Sequence, residues 1–252
     1  MNYLILFHIV SNMIAPTKII LILCICLLPT SIVVVGCSSK KEEKMFVAQK
    51  ESVRALPTKE VSIQKPVQDI ADTTFVNLKN YGGNFVYDMK YATSDNFLKS
   101  KVYDCPECYL RLKTVKALVS ANADFIKKGY RIKLFDCYRP LDIQKKMWKI
   151  VSNPIYVADP SKGSIHNRGG AVDIALVDAQ GKELEMGTPF DYFGIKASHA
   201  YKDLPEHVKT NRNILKEIMV NNGFTIFESE WWHYNLKDSN KDKLSNFKWD
   251  CR

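Results

Sequence analysis

The chain reads as α+β: a single domain with a small, mainly antiparallel sheet flanked by helices. Three observations predict it. Short apolar alternations of period two recur in FVYDMKY, YRIKLFDCYRP, AVDIAL and WHYNL. Between them lie stretches with apolar residues at helical spacing, such as LRLKTVKALVSANADFIKKG and NRNILKEIMVNNG. Two or three helices interspersed with short strands give an α+β domain, and 46% hydrophobic residues in a chain of 252 can fill its core.

Two segments precede that domain. Residues 1–36 hold one basic residue, Lys18, no acid, and the run IILILCICLLPTSIVVVG, which marks them as an export signal outside the fold. The run ends in VVGC followed by SSKKEEK. This resembles a bacterial lipoprotein signal, with Gly36 as the small residue and Cys37 as the lipidated first residue of the mature chain. The apolar run Ile19–Val35 is marginal for a membrane span and contains Pro29, which favours cleavage over a retained anchor. Residues 37–74, with their Lys, Glu, Gln, Ser and Pro, read as the lipidated N-terminus and a flexible tether. Residues 75–252 read as the domain.

Along that domain, FVYDMKY places Phe85, Tyr87, Met89 and Tyr91 on one side of a half-buried strand. A helix follows with Leu112, Val115, Leu118, Val119, Phe125 and Ile126 as its stripe and Gly129 as its stop. YRIKLFDCYRP is a strand that Pro140 closes, and DIQKKMWKIV has Ile143, Met147, Ile150 and Val151 at helical spacing. A loop-rich region around MGTPFDYFG leads to a third helix, begun at Thr210 or Asn211 and ended by Gly223, and GFTIFESEWWHYNL supplies the last strand.

The formal charge of +9 falls to +8 when Lys18 leaves with the signal. The lysines are scattered and no basic helix carries interleaved aromatics, which argues against nucleic-acid binding and fits a basic protein near anionic envelope surfaces. No obligate protein partner is evident. Of seven cysteines, Cys105, Cys108, Cys137 and Cys251 remain after the signal and the lipid site are set aside. In an oxidising envelope they form up to two disulfides, with three possible connectivities. Cys105-Pro-Glu-Cys108 suits a local disulfide or two thiols better than a metal site, because the second pair that a zinc ribbon needs is absent. His199 and His207 lie in polar, loop-like surroundings and read as surface residues.

The chemistry concentrates in SIHNRGGAVDIAL. Alternation sends Val172, Ile174 and Leu176 to one face of a strand and Ala171, Asp173 and Ala175 to the other, so Asp173 stands on a lightly packed face. His166 lies in the preceding turn, where Gly169 and Gly170 let the backbone fold back and bring the imidazole toward the carboxylate. In WHYNL, Trp232, Tyr234 and Leu236 point inward while His233 and Asn235 point away. Two neutral imidazoles and a carboxylate are ligands that Zn²⁺ accepts in a catalytic site with an open fourth position. Spacing alone leaves a structural His–Asp hydrogen-bonding pair as an equal reading. Glu230, three residues before His233, can serve as a base for water if the chain turns or bulges around Glu230 and Trp231, because a straight strand would send the two to opposite faces.

SIHNRGGAVD matches the Ser-x-His-x-x-Gly-x-Ala-x-Asp motif of the zinc D,D-peptidases of the VanX and VanY type, and EWWH matches their Glu-x-x-His motif, in the family's order. KYATSDNF, CYLR, FDCYRP and MGTPFDYF further resemble the VanX branch, the D-alanyl-D-alanine dipeptidases of peptidase family M15. The similarity spans roughly residues 75–236; the segment from Pro140 to Ser164 is shorter than in many members. The resemblance implies one Zn²⁺ per chain held by His166, Asp173 and His233, with Glu230 as general base and Arg139 stabilising the oxyanion. It also implies Asp136 beside Arg139, and Ser164, Asp191 and Tyr91 lining the dipeptide pocket, with Asp191 facing the substrate ammonium. Asp136 fits a strand-end cap equally well, and Tyr91 fits a core position.

The expected function is therefore zinc-dependent hydrolysis of D-Ala-D-Ala, a small D,D-dipeptide, in cell-wall metabolism. It would be performed by a lipoprotein held on the bacterial envelope, at the periplasmic or outer-membrane face, through Cys37. A D,D-carboxypeptidase or endopeptidase on peptidoglycan stems would use the same metal site, and a wall-peptide binding module would need no base. A structural zinc would be closed by four protein ligands, against the three expected here.

Overall fold

A computed structural model describes residues 70–251, so the expected signal, the lipid site and most of the tether lie outside the described residues. Among the described residues, seven strands and three α-helices make an α+β domain, as expected. They are β1 (Phe75–Asn77), β2 (Val86–Tyr87), β3 (Tyr109–Arg111), α1 (Leu112–Lys127), β4 (Arg131–Asp136), α2 (Leu141–Ile150), β5 (Ala171–Val177), α3 (Glu206–Asn221), β6 (Phe224–Phe227) and β7 (Glu230–Leu236). Five strands form one sheet in the order β2-β4-β5-β7-β6, in which only the β2–β4 pairing is parallel. The strands β1 and β3 make a separate antiparallel pair. Contacts of the segment before β1 with the domain begin at Asp72, whose carbonyl accepts the Lys113 N–H, and at Thr74, whose carbonyl accepts that of Leu112.

Helix α1 lays Val115, Leu118, Ala121 and Phe125 into the main core and α3 adds Leu215, Ile218 and Met219; the two helices touch each other, α1 also against β4 and α3 against β6. Ile126, expected on the buried stripe, is exposed, and the polar Asn122 is buried in the turn before it. Its side-chain oxygen accepts the Ile132 N–H, so Asn122 closes the connection from α1 to β4. Gly129 ends α1 at φ +82°, a conformation that costs glycine little.

Four local expectations are corrected. The strand read over FVYDMKY shrinks to Val86–Tyr87, and the chain then tightens into a 3₁₀ turn at Lys90–Ala92 that drops Tyr91 into a second, smaller core with Leu98, Val102, Tyr103, Met147 and Val157. Helix α3 starts at Glu206, earlier than Thr210. Pro205 fixes the backbone ahead of it, Glu206 sits in its first turn, and Val208 is buried, extending the stripe backward. The last apolar stretch is a hairpin, with Glu228 and Ser229 turning between β6 and β7. Strand β5 shows no alternation of burial, because it lies between β4 and β7 with both faces covered; all seven residues are buried.

The cysteines pair as Cys105–Cys251 and Cys108–Cys137, which replaces the local Cys105–Cys108 link as the expected pairing. Trp249 stacks on Tyr109, and its Nε1–H points to the Cys105 sulfur at 3.1 Å.

The glycine pair divides its work. Gly169 takes the left-handed conformation (φ +73°) that reverses the chain after a 3₁₀ turn at His166–Arg168. Gly170 is needed for space, since a Cβ there would lie 2.3 Å from Cβ of the buried Ser239 while its own carbonyl accepts the Leu236 N–H. Gly170→Ala is therefore expected to destabilise the domain by about 1–3 kcal/mol, the usual cost of overpacking, read as a lower urea midpoint. An unchanged midpoint would contradict the close approach.

Candidate metal centre and active site

Strand register builds the centre. Asp136 at the end of β4 pairs with Asp173 on β5, and Asp173 pairs with His233 on β7, so three ionisable side chains form one row across three strands. A register irregularity between Leu134 and Asp136 precedes this row in β4. The 3₁₀ turn at His166–Arg168 brings His166 over it from the chain entering β5.

His166 Nε2, the Asp173 carboxylate and His233 Nδ1 converge. The two nitrogens are 3.2 Å apart, Asp173 Oδ2 lies 3.4 Å from His166 Nε2, and Asp173 Oδ1 lies 3.0 Å from His233 Nδ1. Three donors about 2.0–2.1 Å from a tetrahedral Zn²⁺ would lie about 3.3 Å apart, so the donor set and its spacing fit that ion. The outer nitrogens are also committed: His166 Nδ1 meets the Cys137 carbonyl at 2.7 Å and His233 Nε2 meets Asn235 Oδ1 at 2.9 Å. Both acceptors draw the ring proton outward and leave the inner nitrogens as lone-pair donors. All three side chains are mostly buried. Burial opposes ionisation of Asp173, yet the positive charge and N–H groups of the two rings in their protonated form hold its carboxyl well below the usual carboxylate range.

Glu230 lies beside this group, its Oε2 4.0 Å from His233 Nδ1. The sequence required a turn or bulge around Glu230 and Trp231. The turn falls just before them, and the irregularity is in the ladder: Phe227 pairs with Glu230 while the adjacent Ile226 pairs with Tyr234, so Trp231, Trp232 and His233 bulge out of register. This lets Glu230 and His233 share a side, and burial then raises the Glu230 carboxyl above its ordinary range. Trp231 and Trp232 are both buried, and the Trp231 indole N–H donates to Thr188 Oγ1 at 2.8 Å.

Arg139 and Asp136 form a buried ion pair, with Nη2 2.6 Å and Nε 3.2 Å from Oδ2. Nη1 donates to Gln144 Oε1, leaving N–H groups on both Nη atoms for a substrate. Asp136 is both orienting group and cap: its Oδ1 accepts the Cys137 N–H and the Tyr103 hydroxyl at 2.7 Å. Tyr91 is a core residue, 3% exposed, that reaches the candidate site, with its hydroxyl 3.1 Å from each oxygen of Asp191 and the Arg139 guanidinium 5.4 Å from its ring. Asp191 sits at φ +61°, and burial followed by the charge of Asp173 pushes its carboxyl well up. Among the described residues no cationic side chain makes an ion pair with it. Ser164 is held apart from these groups: its hydroxyl and N–H both donate to Asn167 Oδ1, and Asn167 in turn donates to the Arg139 carbonyl.

Sequence reasoning missed several partners. Asn235 was legible as the next residue on the polar side of β7 after His233. Tyr103, Gln144 and Asn167 carried no local signal. His207 is exposed as expected, with Glu185 beside it, but His199 is a correction: it is partly buried against Tyr234, and burial pushes its imidazole down to about 4.

Comparison with known proteins agrees with this geometry. Residues 71–250 match the M15 peptidase family described as D-ala-D-ala dipeptidase. The chain is 33% identical over 184 residues to a D-alanyl-D-alanine dipeptidase of Escherichia coli, covering 72% of this chain and 95% of that one. It is 30% identical over 176 residues to one of Enterococcus faecium, covering 60% and 86%. The chain belongs to this family and is a metallopeptidase.

The pair Asp136–Arg139 sets a stability test. Asp136→Asn leaves a buried guanidinium without its counter-charge and is expected to lower unfolding free energy by about 3–5 kcal/mol. Tyr103→Phe, which removes one hydrogen bond while Asp136 keeps the Cys137 N–H, should cost about 1 kcal/mol. Denaturant unfolding of both reads the order, and equal effects would mean that the ion pair is not the supporting contact.

Proposed function

We propose that this member of the dipeptidase family hydrolyses D-alanyl-D-alanine to two D-alanines with one Zn²⁺ per chain. The convergence of His166, Asp173 and His233 beside Glu230, with Arg139 and Asp191 on the same pocket, carries the reading. Held by those three ligands, a Zn²⁺ would supply Lewis-acid polarisation of the scissile carbonyl and a more acidic water.

The chain's own residues do the rest. Glu230, half-desolvated and raised toward the working range of a general base, takes the proton of the attacking water and returns it to the leaving amine. Arg139, fixed by Asp136 and Gln144, offers its remaining N–H groups to the developing oxyanion without having to reorganise. Asp191, half-buried and hydrogen-bonded among the described residues by the Tyr91 hydroxyl, meets the substrate ammonium, whose charge favours its ionised form. Ser164 and Asp136 act through their bonds to Asn167 and Arg139.

The proposal extends to place: an envelope lipoprotein anchored at Cys37 after removal of residues 1–36. The leader sequence supports it, and so do two disulfides, which suit an oxidising compartment. Among the described residues no helix is long and apolar enough to cross a membrane.

Glu230→Gln should retain zinc yet lose at least about 100-fold in kcat on D-Ala-D-Ala. Turnover equal to wild type would remove Glu230 from the mechanism, and a wild type that binds peptide without cleaving it would make the chain a binding module. Incubation with the free dipeptide and with a D-Ala-D-Ala-terminated pentapeptide identifies the substrate: cleavage of the dipeptide is expected, and release of D-alanine from the pentapeptide alone would assign a carboxypeptidase. Cys37→Ala should move the protein from the membrane to the soluble fraction after cell lysis; persistence in the membrane fraction would refute lipid anchoring.

A further inference from the structure

Helix α3 carries a buried guanidinium that the chemistry above does not use. Arg212 is 6% exposed, and among the described residues it makes no ion pair with a carboxylate. It spends its donors on three backbone carbonyls: Nε to Met186 at 2.8 Å, Nη2 to Lys196 at 2.9 Å and Nη1 to Ser198 at 3.1 Å. These carbonyls mark the two ends of one irregular segment, and Asp191 lies between them.

That segment needs an external hold. Apart from a 3₁₀ turn at Ile195–Ala197 it has no regular structure, and it contains two left-handed residues, Gly187 at φ +82° and Asp191 at φ +61°. A non-glycine residue stays in that region only where its surroundings over-determine it. Inside the segment the fixing contacts are few: Phe190 stacks on Phe135 with centroids 4.7 Å apart, Thr188 accepts from Trp231, and Asp191 meets Tyr91. The far end of the segment continues the chain of contacts, because Ser198 Oγ and the His199 N–H both donate to the Glu228 carbonyl, in the turn just before Glu230.

We infer that Arg212 is a positioning residue for substrate specificity: by fastening both ends of residues 186–198 it sets the Asp191 carboxylate where the substrate ammonium must arrive, and it steadies the turn that carries Glu230. The planar fork suits this task, since one guanidinium reaches three carbonyls that a lysine ammonium on a single stem cannot span together. None of its bonds goes to His166, Asp173 or His233, so metal binding is independent of it. The inference rests on Asp191 as the ammonium partner.

The test compares wild type, Arg212→Lys, Arg212→Gln and Asp191→Asn, all zinc-loaded, by kcat and KM on D-Ala-D-Ala and by the inhibition constant of N-acetyl-D-Ala-D-Ala, which lacks the ammonium. Arg212→Lys and Arg212→Gln should keep the zinc content of wild type, raise KM for the free dipeptide at least tenfold, and leave inhibition by the acetylated analogue within twofold. Arg212→Lys keeps the buried charge and serves if Arg212→Gln does not fold. A folded, zinc-loaded Arg212→Lys with wild-type KM overturns the inference, as does a parallel loss of both ligands, which would mean general loosening. Asp191→Asn separates the premise from the inference: if it leaves KM unchanged, the ammonium reading falls, whereas a raised KM there beside unchanged Arg212 variants sinks the role of Arg212 alone.

Discussion

Everything at the centre depends on one row of side chains, Asp136, Asp173 and His233, set by the registers of β4, β5 and β7. Strand side chains alternate with period two, so a slip of one residue in either ladder would turn one member of the row away from the others. The row is costly by itself. Two carboxylates directly opposite one another repel, and here both are buried. Arg139 answers the charge of Asp136 on one side, and two imidazoles answer Asp173 on the other. With Glu230 and Asp191 close by, four carboxyl groups share the pocket with one guanidinium and two imidazoles, and a dication bound there would lessen their mutual repulsion.

The second layer turns this row into a rigid site. The Cys137 carbonyl orients His166, and Cys137 is itself bonded to Cys108, while its N–H caps Asp136. Asn167 ties the His166 turn to the Arg139 carbonyl, and the Arg139 N–H donates to the His166 carbonyl in return. His166, Arg139 and Asp136 are thus held by one short stretch of backbone, residues 136–139, crossing the turn 164–167. Displacement of either segment would shift several functional groups together.

Much of this was legible because it is local. The alternation in AVDIAL and WHYNL set Asp173 and His233 on the side of their strands opposite the large apolar residues, although that side of β5 is covered too, and the glycines after His166 announced a reversal. The demand that Glu230 and His233 share a side even announced a break in the ladder. Where reading failed, the deciding contact lay far away in sequence. The hairpin turn at Glu228–Ser229 has no Asn-Gly or Asp-Gly signature, so the stretch looked like one strand. The start of α3 depended on the burial of Val208, and the pairing of Cys108 with Cys137 depended on β3 passing close to the end of β4, where the Tyr109 carbonyl accepts the Tyr138 N–H. Tyr103 and Arg212 gave no signal because the groups they bond, Asp136 and the carbonyls of Met186, Lys196 and Ser198, lie 14 or more residues away in the chain.

The link between Cys105 and Cys251 joins residues 146 positions apart, and the Cys108–Cys137 link lies inside it. Chain and bond together make a closed covalent circuit. The circuit holds Asp136, Arg139, Ser164, His166, Asp173, Asp191, Glu230 and His233, leaving only Tyr91 outside. A single break in an exposed stretch such as residues 152–156 would open the circuit without releasing a fragment, because both new ends stay fastened through sulfur. The residues of the candidate site are thus tied to one another twice, through the sheet and through a loop that one cut cannot part.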